Sequence, residues 1–180
     1  TSSPSMDILI SSNLERLIYT IAGQDAQKDV ELMTQLKEKG VYEITAEMKE
    51  GLKDFVGGFA TEEEVKETIH DTYQKTGYVM DTHTAVAYSG YLTYLAQTGD
   101  KTPNVVVSTA SPYKFAKDVL RAIDGEKYAN VNPFDALNEL EKVSGVAIPA
   151  PIKGIGTREV LHKDVIERDA IKEYVKSKLQ

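Results

Sequence analysis

The chain has 180 residues, and 21 Lys and Arg against 28 Asp and Glu give it a formal net charge of −7. This net negative charge argues against non-specific electrostatic binding to nucleic acid. The absence of cysteine excludes disulfides, a thiolate nucleophile and cysteine-ligated zinc. Because no apolar run approaches the roughly 18 residues that a membrane span needs, we expect no membrane partner.

The amino end carries no recognisable secretion signal. Its first residues, Thr1-Ser2-Ser3-Pro4, contain no basic segment followed by an apolar stretch, and there is no initiator methionine. We interpret this start as a position within a longer chain, so that further segments of the protein are expected to precede it.

Helix signals dominate the sequence. Ser12 and Thr61 are each followed by Glu three residues later, which predicts capping boxes. Asp81 is placed to cap another helix, and Ser111 and Asn132 are each followed by proline, the preferred first helical residue. The predicted helices cover approximately residues 12–22, 26–39, 45–55, 61–76, 82–97, 111–124, 132–144 and 164–179.

Apolar spacing predicts which helix faces are buried. In the second helix, Val30, Met33 and Leu36 are predicted to face inward. The helix that follows Asp81 is apolar on more than one side, which predicts deep burial.

Two short stretches predict strands. Residues 41–44 alternate in polarity, and Val105-Val106-Val107 is a β-branched run bounded by polar residues, typical of a buried parallel strand. One confident strand cannot form a sheet alone. The sequence therefore predicts a mostly helical fragment of the α/β class, the back portion of a doubly wound domain whose other strands precede Thr1.

Ser108, Thr109 and Ser111 directly follow the predicted strand. In open α/β sheets, ligands bind beyond the carboxyl ends of strands, and helix amino ends there attract anions. These hydroxyls are therefore candidate ligand-binding groups. The alternative is that they only cap the helix and complete the turn.

Asp81 and His83 form a second candidate because they lie two residues apart at a helix start. The alternative is a capping Asp beside a packed His. His70 lies one helix earlier, and nothing in the sequence brings it near His83. This spacing matches no zinc pattern, so no metal site is expected.

Asn13 and Arg16, near another helix start, are placed to hold a phosphate or carboxylate. The alternative is a capping turn with an exposed Arg. The Gly-x-Gly within residues 153–158 falls short of a dinucleotide fingerprint and predicts a surface loop. Lys114 is interpreted as a solvated side chain, since it lies at the wrong helix end for a cation. No nucleophile–base pair emerges.

Four segments together resemble bacterial threonine synthase, the pyridoxal-phosphate enzyme that makes threonine from O-phosphohomoserine. In chain order they are residues 3–8, 12–17, 81–86 and 108–115, and their order and spacing are similar to those of that family. The most specific of them is the Ser-Thr-Ala-Ser-Pro-Tyr-Lys-Phe element that begins at Ser108.

The resemblance implies the fold of the tryptophan synthase β-subunit, in which pyridoxal 5'-phosphate lies between two α/β units. In that family the Schiff-base lysine and the glycine-rich phosphate loop precede this region, and neither motif is found here. The resemblance thus implies the carboxyl-terminal region of the enzyme, without a catalytic residue of its own and inactive alone. Its partners would be the amino-terminal part of the same polypeptide and the substrate O-phosphohomoserine, in the cytoplasm.

The resemblance also implies site residues. Enzymes of this fold contact the pyridine nitrogen with a Ser or Thr hydroxyl, and the matching residue is Thr109, or Ser108 if the register differs by one. A hydroxyl does not hold that nitrogen protonated as a carboxylate would, so the ring withdraws electrons less strongly. The motif match places four further residues near the active site without assigning roles: Asn13, Arg16, Asp81 and His83.

Two alternatives remain open on the sequence. One is a stand-alone helical interaction domain without a catalytic role, and the other is a different enzyme of the same fold acting on another amino acid. Upstream sequence would discriminate, because threonine synthase requires a Schiff-base lysine and a glycine-rich loop encoded before Thr1.

Overall fold

The computed structural model describes residues 1–179, which divide into two units at the boundary between Ile148 and Pro149. Over these residues no β-strand forms, and the regular structure is helical. The α-helices are α1 (Ser12–Ile21), α2 (Ala26–Lys39), α3 (Ala46–Glu50), α4 (Glu62–Thr76), α5 (Thr82–Thr98), α6 (Ala116–Ile123), α7 (Pro133–Ser144) and α8 (Ile171–Lys178). Short 3-10 turns lie at Pro4–Met6, Pro112–Phe115, Ile155–Thr157 and Arg168–Ala170.

The predicted caps at Thr61 and Asn132 are confirmed, because each side chain accepts a hydrogen bond from a backbone N–H in the first turn of its helix. The Thr61 hydroxyl accepts from the Glu64 N–H at 3.3 Å, and the Glu64 carboxylate accepts from the Thr61 N–H at 2.7 Å. This reciprocal pair is a complete capping box at the start of α4. Asn132 accepts from the Phe134 N–H at 2.8 Å and caps α7.

The first helix starts at Ser12 as predicted, but the predicted cap of that helix and the predicted start of α6 need correction. Ser12 is the first residue of α1 and not its cap, and the capping position belongs to Ser11, whose side chain makes no capping bond. Ser111 does accept from the Tyr113 N–H at 3.3 Å, but it opens a 3-10 turn, and α6 itself begins at Ala116.

The predicted strands are wrong for the residues that the structure describes. Residues 41–44 and 105–107 form no ladder, and Val105 and Val107 are 83% and 71% exposed. The physical reason is that a strand exists only through hydrogen bonds to a neighbouring strand, and none of the described segments supplies one. A β-branched composition alone does not create a strand.

Helices α1, α2 and α3 enclose a small apolar core. Its buried residues are Ile18, Leu32 and Met48, and Met33 packs against them. The predicted inward position of Val30 is wrong, because that side chain is 64% exposed. The buried face of α2 passes through Leu32, which the spacing argument had not selected.

Helices α4 to α7 form the main core around α6, which packs against both α4 and α7. Its fully buried residues include Val65, Ile69, Ala85, Val119, Leu120, Ala136 and Leu140. Each buried Leu, Ile or Val contributes roughly 1.5–3 kcal/mol. His70 Nδ1 donates to the Ile123 carbonyl at 3.0 Å and thus joins α4 to the end of α6.

The deep burial predicted for α5 holds only for its first turns. Residues 82–85 and Ser89 are buried, whereas Leu92 is 42% exposed. Asp81 caps this helix by accepting from two backbone amides, as predicted. No helix in the described part of the chain has both the length and the apolar character needed to cross a membrane.

The second unit, from Pro149 onward, begins with an exposed turn region, as predicted for the loop at 153–158. The Arg158 guanidinium donates to the carbonyls of Pro151 at 3.1 Å and Lys153 at 2.8 Å, which closes this loop on itself. The last helix begins at Ile171, later than the predicted position of 164.

Candidate functional site

Three separate stretches of the first unit surround one cavity of about 580 Å³. They are the loop before α1 with the first residues of α1, the first turn of α5, and the loop and 3-10 turn before α6. The polar residues that line it include Ser5, Asn13, His83, Thr109 and Lys114. Three of the sequence-predicted site residues, Asn13, His83 and Thr109, are therefore brought together.

His83 forms a buried wall of this cavity and is 7% exposed. Its Nε2 accepts from the Ser5 N–H at 3.3 Å, and its Nδ1 lies 3.4 Å from the Thr82 hydroxyl. Since Nε2 accepts, the proton of the ring is on Nδ1. The ring also packs at 5.0 Å, centroid to centroid, against Phe115. These contacts fix its orientation.

Asp81 lies behind His83 and does not line the cavity. Its buried carboxylate accepts from the N–H of His83 at 2.9 Å and the N–H of Thr84 at 3.3 Å. The Thr84 hydroxyl donates to the other carboxylate oxygen. A buried carboxylate without a full set of donors would be costly, so this set explains how Asp81 is tolerated there.

Ser108 and Thr109 line different cavities. Thr109 is exposed and lines the cavity beside His83. The Ser108 hydroxyl oxygen lies 2.9 Å from the Thr84 hydroxyl oxygen, and Ser108 lines a smaller cavity of about 240 Å³ together with Thr84 and Tyr88. The hydroxyl available to the larger cavity is therefore that of Thr109.

Asn13 and Arg16 separate in the structure. Asn13 lines the cavity from the first turn of α1, where its side-chain oxygen pairs with the Ser11 hydroxyl. Arg16 is exposed and is not among the residues that line the cavity.

Lys114 lines the cavity, a placement that the sequence argument missed by interpreting it as a solvated side chain. It lies in the 3-10 turn before α6, with its Nζ 5.4 Å from the centroid of the Phe115 ring. Within the described part of the chain no carboxylate lines this cavity, and Lys114 is the charged residue of its lining. This electrostatic setting suits an anionic ligand.

No group of three or more His, Asp or Glu residues within the described range is arranged to hold a metal ion. His70 is used in the contact with Ile123, and His162 lies in the exposed part of the second unit. The donor set at the cavity thus consists of hydroxyl, amide, imidazole and ammonium groups.

Residues 84–175 match the sequence model of a family described as threonine synthase, C-terminal. The chain belongs to the threonine synthase family. The matched segment contains Ser108, Thr109 and Lys114, while Asn13 and His83 lie before it.

Individual relatives of the family agree with this match. Threonine synthase of Saccharomyces cerevisiae is 34% identical over an alignment that covers 96% of this chain and 36% of the yeast protein. The human protein named threonine synthase-like 1 is 38% identical over 125 residues, which cover 68% of this chain and 16% of that protein. The chain therefore spans only a minor part of the relatives it matches.

The fold agrees with that of a solved threonine synthase. A crystal structure of the pyridoxal-phosphate-bound enzyme from Brucella melitensis superposes with a TM-score of 0.68 and 30% sequence identity. The alignment covers 98% of this chain and 34% of that enzyme. The expected fold, a mostly helical part of a tryptophan synthase β-subunit-like enzyme, is confirmed at this level.

Proposed function

We propose that this chain is the carboxyl-terminal part of a pyridoxal-phosphate-dependent threonine synthase. The whole polypeptide would convert O-phospho-L-homoserine and water into L-threonine and phosphate. The observation that carries this proposal is the cavity in which Thr109, His83 and Asn13 meet, in a chain of the threonine synthase family.

The residues of the cavity fit pyridoxal 5'-phosphate. The side chains of Met6, Ile8 and Ile10 offer an apolar surface for a flat ring, while hydroxyls and the Lys114 ammonium offer polar partners. Among residues 1–179, none that lines the cavity carries a carboxylate that would repel a phosphate group. When bound, the cofactor supplies an electron sink for negative charge that develops on the substrate.

Thr109 would make the hydrogen bond to the pyridine nitrogen. This assignment is supported by its place on the cavity wall and by the different environment of Ser108, whose hydroxyl pairs with Thr84. A threonine hydroxyl is uncharged, so it would hold the ring nitrogen in place without stabilising its protonated form. Ser108 remains the alternative if the pairing with Thr84 breaks in the whole enzyme.

The other candidate residues would act from three positions. Asn13 lines the cavity and His83 forms its buried wall, with the His83 Nε2 lone pair engaged by Ser5. In this arrangement His83 would orient the loop before α1 rather than act as a base. Asp81 supports His83 from behind. For Arg16, the proposal of a place near the active site rests on its motif alone.

The proposal assigns the Schiff-base lysine and the glycine-rich phosphate loop to the amino-terminal part of the same polypeptide, which would be the main partner of this chain. The region 1–180 would then be one side of the active site and not a self-sufficient enzyme. The proposal includes a cytoplasmic location, as the resemblance implies.

The full-length polypeptide provides the test. It should release phosphate and form threonine from O-phosphohomoserine in a one-to-one ratio, with dependence on added pyridoxal phosphate after dialysis. Release of phosphate without threonine would favour a different enzyme of the same fold. Lack of any turnover by a folded, cofactor-loaded protein would reject the proposal.

A further inference from the structure

A chain of hydrogen bonds joins the start of α5 to the loop before α6. The Asp81 carboxylate accepts from the Thr84 hydroxyl, and the Thr84 hydroxyl oxygen lies 2.9 Å from the Ser108 hydroxyl oxygen. Asp81 and Thr84 are 1% and 5% exposed, so water competes little for the bond between them, whereas Ser108 is exposed.

The direction of the protons in this chain follows from the chemistry of its groups. A threonine hydroxyl has one proton, and the Asp81 carboxylate can only accept, so the Thr84 proton goes to Asp81. Ser108 then donates its own proton to the Thr84 oxygen. Thr84 and Ser108 thus each donate one hydrogen bond, and both bonds are directed toward the buried Asp81 carboxylate.

This arrangement goes beyond the capping of α5. A helix cap requires only that the side chain accept from first-turn amides, which Asp81 already does with the N–H groups of His83 and Thr84. The Thr84 hydroxyl makes a further contact with Ser108. Ser108 belongs to a segment without strand or helix hydrogen bonds of its own. That segment therefore needs an external anchor, and Thr84 supplies one.

We propose that Asp81 and Thr84 are positioning residues: Asp81 orients the Thr84 hydroxyl, and Thr84 holds Ser108 so that the next residue, Thr109, faces the cavity. The same carboxylate fixes the backbone of His83 on another wall. One buried group thus sets the positions of two cavity walls. The functional part of this inference rests on the proposed role of Thr109 toward the cofactor.

The test uses three variants of the full-length enzyme. Thr84→Val keeps the shape and removes the hydroxyl, Thr84→Ser keeps the hydroxyl, and Thr68→Val changes another buried threonine, on α4, outside the hydrogen-bonded chain. Two quantities are measured: the position and B-factors of residues 107–110 in crystals of the same form, and the dissociation constant of pyridoxal phosphate from equilibrium dialysis.

Thr84→Val should displace residues 107–110 or raise their B-factors relative to the rest of the first unit, and weaken cofactor binding by about 5-fold to 100-fold, the range expected for one lost hydrogen bond. Thr84→Ser should restore the position of the segment and bring cofactor affinity to within about 3-fold of the parent, and Thr68→Val should change neither quantity. An unchanged position and unchanged B-factors in a folded Thr84→Val enzyme, or failure of Thr84→Ser to restore them, would overturn the inference.

If Thr84→Val unfolds the protein, Ser108→Ala removes the same contact from its exposed side. It should displace Thr109 and Ala110 or raise their B-factors without a general change in the first unit, and an unchanged segment would overturn the anchor. Failure of the unmodified protein to bind pyridoxal phosphate would instead reject the proposed function, while the crystallographic comparison would still decide whether Thr84 holds this segment.

Discussion

The backbone N–H of Ser5 donates to Nε2 of His83 at 3.3 Å, across 78 residues of sequence. A second bond runs parallel to it, because the Thr82 hydroxyl donates to the Ser2 carbonyl at 2.9 Å. The loop before α1 is therefore attached to the buried start of α5 at two points. These attachments close one side of the cavity that Thr109 lines.

Replacement of His83 by leucine should release this loop. The Ser5 N–H loses its acceptor at a partly buried position, which costs about 1–3 kcal/mol of local stability. His83→Gln keeps an acceptor near the position of Nε2 and should retain much of the attachment. The measurement is the amide exchange rate of Ser5 in the full-length protein, expected to rise about 5-fold to 100-fold in His83→Leu.

Exchange at Ser5 that is equally fast in both His83 variants would show that ring packing against Phe115, and not the hydrogen bond, holds the loop. Exchange that is unchanged in both would show that the Thr82 contact is sufficient.

The capping box of α4 predicts a defined pH dependence. Hydrogen bonds from the backbone N–H and hydroxyl of Thr61 lower the pKa of Glu64 below its ordinary value. Because the folded-state pKa is depressed, the stabilisation is fully present above the unfolded value of about 4.3 and is lost as the pH falls through the folded pKa. Urea unfolding at pH 7 and at about pH 3 measures it.

Glu64→Gln should shift the urea midpoint more at pH 7 than at low pH, since the parent loses its charged cap on acidification. Glu67→Gln, on the same helix but outside the capping box, provides the matched control for a change of net charge. A pH dependence that is the same in Glu64→Gln, in Glu67→Gln and in the parent would contradict the assignment.

The features that were predicted correctly from sequence are those that depend on a few neighbouring residues. The residues that form the Thr61 capping box, and those that form the Asp81 cap, lie within four consecutive positions of the sequence. These caps mark where α4 and α5 begin. The predicted strand at 105–107 was wrong because a strand depends on a neighbouring strand, which the local sequence does not encode. The burial of Leu32 in place of Val30 likewise depends on where α1 and α3 lie.

The candidate site also has features that the local sequence predicts and features that depend on residues distant in sequence. The motifs pointed to Asn13, His83 and Thr109, and the structure brings them to one cavity. The contact that underlies the role proposed for Thr84 was not predicted, because its partner Ser108 lies 24 residues away. The one local signal was its position three residues after a capping Asp, where a hydroxyl reaches the carboxylate.

The isolated chain 1–180 should be catalytically inactive. It contains no recognisable Schiff-base lysine and, under the proposed function, only one side of the cofactor site. Titrated with pyridoxal phosphate, it should show no saturable binding that survives dialysis, apart from weak adducts at surface lysines. Stoichiometric retention of the cofactor together with threonine formation would refute the fragment hypothesis.

The same isolated chain should self-associate. Several large apolar side chains are more than two-thirds exposed, including Val56 at 71%, Phe59 at 82% and Val105 at 83%. Exposed apolar surface of this kind favours association. Sedimentation velocity should show a mass that rises with concentration, and a monomer at all concentrations would show that these side chains do not form an adhesive surface.

Variants of Thr109 test the proposed cofactor contact in the full-length enzyme. Thr109→Ser keeps the hydroxyl and should retain much of the activity. Thr109→Val keeps the shape but removes the hydrogen bond, at a cost on the order of 1–3 kcal/mol, or roughly tenfold to a hundredfold in turnover or cofactor affinity. Thr109→Asp should hold the pyridine nitrogen protonated, shift the absorbance of the cofactor and favour side reactions over threonine formation.

Circular dichroism must show that each variant folds, so that any loss of activity can be attributed to the cofactor contact and not to loss of structure. Unchanged turnover and cofactor affinity in a folded Thr109→Val enzyme would show that this hydroxyl does not bind the ring nitrogen. Ser108→Ala would then become the decisive variant. If the hydroxyl of Ser108 leaves Thr84 to bind the cofactor in the whole enzyme, its removal should produce the loss that was expected for Thr109→Val.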